Sequence, residues 1–136
     1  MNQRDPADIV TVNEISTADR TFFLLKQTPV IDEWVTGKTM LTGKLVLVDH
    51  CLRVQATDST IEYLPLWPPS YAVSLEHDSP EIVNGSEQVV ARVGDEVCLS
   101  GGAITQADAP KQYEQLRQKI PAACPGPYWL VSNIHP

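Results

Sequence analysis

The side chains in this sequence that could do chemistry are three cysteines, three histidines, a scatter of carboxylates and a few aromatics set beside prolines. Cys51, Cys98 and Cys124 show no CxxC or HxxxH spacing, so no structural zinc site is expected. Cys98 falls inside a strand-like pattern and reads as a small buried hydrophobe. Cys51 opens a strand, and Cys124 lies in the loop Ala122-Ala123-Cys124-Pro125-Gly126-Pro127, which suits a bridge tying that loop to the strands. Such a bridge would constrain the unfolded chain by about 4 kcal/mol. In a reducing cytosol two free thiols are the expectation instead.

His50 stands between Asp49 and Cys51, but adjacent strand residues point to opposite faces, so a histidine at a turn tip is expected rather than a Cys/His pair. Glu76-His77-Asp78 could offer ligands to a metal, yet before Ser79-Pro80 the same residues make a solvated turn. His135 is next to the end of the sequence. There is no GxSxG, P-loop, GxGxxG or HExxH pattern, and no catalytic residue, metal or cofactor is predicted. The enzymatic alternative is a small hydrolase or carbohydrate-processing site assembled from distant carboxylates, Glu62 with Asp49 or Asp95, beside Trp67. The ligand-binding candidates are aromatic: Trp67 and Tyr71 flank Pro68-Pro69, and Tyr128-Trp129 follow Gly126-Pro127. Aromatics at strand ends can line a groove for a peptide or a sugar, or plug the end of a small barrel. Asn84-Gly85-Ser86 fits the glycosylation pattern and equally a hairpin tip.

The elements that must position these residues are mostly strands. Leu45-Val46-Leu47-Val48 is a continuous aliphatic run, and Cys51 to Ala56 alternates, with Leu52, Val54 and Ala56 on one face and Arg53 and Gln55 on the other. Asp49-His50 between them predicts a two-residue hairpin, with His50 able to take a positive φ. From Thr60 to Trp67 the pattern is again strand-like, and Pro65 places it at an edge or a bulge. Asn84-Gly85 gives the strongest hairpin signal, Gly94-Asp95 marks another turn, and Gly101-Gly102 is expected to end the strand begun at Glu96. A helix is predicted from about Ala109 to Ile120, capped by Asp108 and ended by Pro121, with Tyr113, Leu116 and Ile120 forming a narrow apolar stripe. A closing strand runs from Pro127 to Ile134. Phe22 to Leu25 and Val30 to Val35 are apolar enough to pack, without a clear type. Residues 1–20 read as a polar tail and 21–136 as a single β-rich domain.

With 136 residues the chain fits one domain that can bury a sizeable core. Ten basic against 17 acidic residues give a net charge of −7, and eleven prolines favour loops over long helices. Residues 40–108 alone sum to −7, whereas 109–136 sum to +2. The strand region therefore lacks the basic stripe that nucleic-acid binding requires, and no apolar run is long enough to span a bilayer. The N-terminal residues carry no apolar leader, which taken literally points to the cytoplasm; a chain trimmed from a longer precursor would instead sit in the cell envelope.

From Gly43 onward the pattern resembles a family of small bacterial proteins of uncharacterised function, many of them described as lipoproteins. The resemblance is carried by Gly43-Lys44-Leu45, Cys51-Leu52-Arg53, Trp67-Pro68, the run Val89 to Val97, Gly101-Gly102 and the block Cys124 to Val131. It implies an envelope location and favours pairing of Cys51 with Cys124. The expected fold is mainly β, a small closed or partly open antiparallel barrel of OB-like type with one short C-terminal helix. The expected role is non-enzymatic, binding an unknown small ligand or protein, or giving structural support.

Overall fold

The computed structural model describes residues 10–18, 20–28, 39–76, 79–107 and 109–135. It is mainly β, with one helix and two sheets among those residues. The chain begins with a hairpin of β1 (Val10–Ser16) and β2 (Thr21–Gln27), paired antiparallel along their whole length. Expected as a polar tail, residues 10–16 are instead sheet. Val10, Val12 and Ile15 give β1 apolar contacts, and seven rungs of pairing with the apolar Phe22-Phe23-Leu24-Leu25 run outweigh its polar composition. Residues 1–9 and the run Val30 to Val35 lie outside the described residues.

Next come β3 (Thr39–Val48) and β4 (Cys51–Ala56), joined at Asp49-His50 as the sequence predicts. Asp49 carries the positive φ of 57°, a conformation that Asp tolerates through local hydrogen bonding, while His50 does not need it. β5 (Glu62–Leu66) follows, then a small sheet of β6 (Ala72–Ser74), β7 (Glu81–Val83) and β8 (Val89–Arg92) in that spatial order. The Asn84 side chain holds the β7–β8 turn by accepting from the Ser86 and Gln88 amides at 2.9 and 3.0 Å. Across β7 and β8 the buried Glu81 carboxylate meets Arg92 at 2.7 Å.

β9 (Glu96–Ile104) does not stop at Gly101-Gly102 but runs through them. Gly101 has φ 146°, and a Cβ there would collide with the Leu130 carbonyl, so glycine is what lets two backbones come this close. The register against the last strand slips at that point, between Val131 and Asn133. Helix α1 (Pro110–Lys119) has Pro in its first turn; its cap position is Ala109, with no side-chain cap, and Asp108 lies outside the described residues. β10 (Tyr128–His135) closes the chain.

The main sheet has the order β1-β2-β4-β3-β9-β10-β5, and β4 also pairs with β5. Five strands, β3, β4, β5, β10 and β9, thus pair in a ring. The expectation of an antiparallel barrel is corrected at two places: β5 with β10 and β2 with β4 pair parallel. Side chains alternating inward along the ring, Leu45, Leu52, Val54, Leu99, Trp129 and Val131 among them, form one core. Ile82 and Ala91 of the small sheet join it. The residues of opposite parity, Leu64, Leu66, Tyr128 and Leu130, form a second core with the α1 stripe and the β1–β2 hairpin. Gln27 joins these parts, its side-chain amide donating to the Leu66 and Val131 carbonyls at 2.9 and 2.7 Å.

Candidate functional site

A groove of about 410 Å³ lies on the outer face of β4, lined by Asp49, Cys51, Arg53, Thr60, Glu62 and the 123–126 loop. Parity explains it. Leu52, Val54 and Ala56 turn into the ring, so Cys51 and Arg53 must turn outward, where the loop between α1 and β10 covers them. Two links hold that loop down. Cys51 and Cys124 form a disulfide, with Cα atoms 5.5 Å apart. Arg53 Nη2 donates to the Pro125 carbonyl at 2.7 Å, while its Nη1 donates to the Glu62 carbonyl at 3.2 Å.

Arg53 is the groove residue whose burial the sequence pattern did not reveal. Alternation places it with Gln55 on the face opposite Leu52, Val54 and Ala56, yet Gln55 is exposed and Arg53 only 7% exposed. The available signal was its place two residues from Cys51, on the same face as the cysteine that anchors the covering loop. Burial pulls the Arg53 pKa below the ordinary guanidinium value, and the negative Glu62 carboxylate and the Tyr128 phenol partly offset that. Tyr128 is itself shifted upward, first by burial and then by Tyr113, whose ring lies 5.5 Å away.

Two of the three carboxylates named from sequence, Asp49 and Glu62, line this groove together. Neither is buried, and the aromatic wall of a sugar-processing site is missing, because Trp67 faces the ring core at 1% exposure. Asp95 is elsewhere, capping the β8–β9 turn by accepting from the Arg92 amide at 3.0 Å. The four aromatic candidates are all buried: Trp67 stacks on Tyr71 at 5.9 Å, Trp129 stands edge-on to Tyr63 at 5.3 Å, and Tyr128 packs under α1. They plug the two cores and offer no open face to a ligand. Burial raises the Tyr71 pKa as it does that of Tyr128.

His50 acts as the turn-tip stitch, its Nδ1 donating to the Thr21 carbonyl at 2.8 Å while its own carbonyl accepts from the Phe23 amide. His77 and Asp78 lie outside the described residues, and His135 is exposed on β10 opposite Cys98. Cys98 is a free thiol, half-buried rather than in the core, near the Thr42 hydroxyl at 3.6 Å. No group of three His, Cys, Asp or Glu side chains suited to a metal ion occurs among the described residues. No described helix is long and apolar enough to cross a membrane. Compared with family profiles, with curated proteins and with solved structures, the chain matches none.

Proposed function

We propose that this chain is a non-enzymatic β-barrel module of OB-like type that works at the bacterial cell envelope, by binding a small ligand or protein or by structural support, and that it belongs with the lipoprotein-rich family its sequence resembles. The disulfide between Cys51 and Cys124 carries this reading. Such bridges persist in oxidising compartments, the bacterial periplasm among them, and are rare in the cytosol. Both cysteines also fall in residue blocks that bear the resemblance. The five-strand ring with side chains filling its interior supports the OB-like type, which is a five-stranded, partly open barrel.

Binding to nucleic acid is disfavoured by the charge of −7, and the cationic residues of α1 form no free stripe, since Arg117 pairs with Glu114 at 2.9 Å. The test is fractionation of the cells that naturally make the protein, probed with an antibody. The protein should be found in the envelope or periplasmic fraction; recovery in the cytosol alone would overturn the reading.

A further inference from the structure

A cation buried away from water is costly unless something of opposite charge or strong hydrogen-bonding capacity meets it. Among the described residues the Arg53 guanidinium donates to two carbonyls, those of Glu62 and Pro125, with five N–H groups to place, and the Glu62 carboxylate adds an attraction without a direct ion pair. The ion pairs among the described residues join Arg92 to Glu81 and Arg117 to Glu114; none involves Arg53. Arg53 nonetheless lines an open groove, and two acidic residues that are less buried than it, Glu62 and Asp49, line the same groove with Thr60.

This set of charges is selective. A simple anion would find the guanidinium but also two negative rims. A simple cation would find the carboxylates but also a fixed positive floor. A ligand with one charge of each sign meets complementary partners at both ends. The lining contains no large apolar side chain, only Val48, Ala123, Pro125 and the disulfide, so nothing in it suits a lipid or the stacked face of a sugar. Its volume of about 410 Å³ admits a molecule the size of an amino acid or a short peptide.

We infer that the groove beside the Cys51–Cys124 disulfide binds a short zwitterion, an amino acid or small peptide, with its carboxylate on the Arg53 guanidinium and its ammonium against Glu62 and Asp49. This names the ligand class of the binding module proposed above and rests on that reading. Arginine suits the role because its planar fork meets a carboxylate with two parallel hydrogen bonds. The backbone bonds from Nη1 and Nη2 hold the guanidinium in place before any ligand arrives.

The test follows amide chemical shifts in isotope-labelled, oxidised protein while glycine, diglycine, acetate and methylammonium are each titrated to about 10 mM, some ten times a Kd of about 1 mM. Glycine or diglycine should shift the amides of Thr60, Glu62 and Gly126, with acetate and methylammonium well behind, and the tighter of the two zwitterions fixes the ligand's length. R53K and E62Q should each weaken that binding roughly tenfold or more while the spectrum stays dispersed and the bridge intact. E62Q preserves both the guanidinium and its contacts with the loop, so it tests the site even where R53K disturbs the fold. The inference fails if neither zwitterion moves these amides, if acetate or methylammonium alone does as well, or if E62Q binds like the parent. Such a failure leaves the compartment reading untouched, since fractionation tests that separately.

Discussion

Arg53 and the two buried tyrosines show what a single residue's surroundings decide in this protein. The strand around Arg53 was legible because Leu52, Val54 and Ala56 alternate, but alternation describes two faces and says nothing of what covers the second. Here the cover is a loop 72 residues further along the chain, joined through Pro125, and no local pattern encodes that distance. The aromatics were easier to read: large apolar side chains next to chain-breaking prolines fill strand ends, and all four candidates are plugs. Two of them make stability sensitive to alkali. Tyr71 and Tyr128 have pKa values raised above the 10.0 of the unfolded chain, chiefly by burial. The neutral phenol is therefore favoured by folding. That stabilisation is fully present below pH 10.0 and is lost as the pH rises through the folded-state values. Thermal melts across that range should show Tm falling above pH 10, and Y71F together with Y128F should flatten the fall; an unchanged alkaline slope would contradict it.

At the scale of elements, turn chemistry was the most legible part. Asp49-His50, Asn84-Gly85 and Gly94-Asp95 all sit where strands reverse, and the Pro-to-Pro helix lies within a residue of its expected ends. Two elements escaped. Gly101-Gly102 reads as a stop, yet glycine also serves where two backbones approach closely, and the neighbouring Leu130 carbonyl that requires it belongs to a strand beyond the helix. β1 looked like tail because its polar residues mask a short apolar set whose partner, β2, was itself untyped. The hairpin matters to the whole: Leu24 enters the ring core, Val10 and Leu25 enter the outer core, and Gln27 bonds to β5 and β10. Deleting residues 1–16 should therefore cost on the order of 3 kcal/mol through lost apolar burial and unpaired backbone, lowering Tm by roughly 10 °C. Calorimetry of the truncated protein checks this, and a Tm within a degree or two of the full chain would mean that β1 contributes nothing to the fold.

For the whole molecule, the ring, the helix-covered outer core and the groove meet at one covalent link. Cys51 stands at the first residue of β4, and Cys124 in the loop that leads from α1 into β10, so the disulfide ties the last third of the chain to the β3–β4 hairpin across 73 residues. By the chain-entropy account that is about 4 kcal/mol taken from the unfolded ensemble. The same link holds down the loop that covers Arg53 and borders the groove. Composition and charge bounded the class of molecule, and the pairing of two cysteines far apart in sequence joins fold and groove and carries the proposed envelope location. The most direct measurement is mass spectrometry of the protein isolated from its own cells and alkylated before and after reduction. The account predicts Cys98 alone labelled without reductant, with a peptide bridged between Cys51 and Cys124; three cysteines labelled without reductant would contradict it.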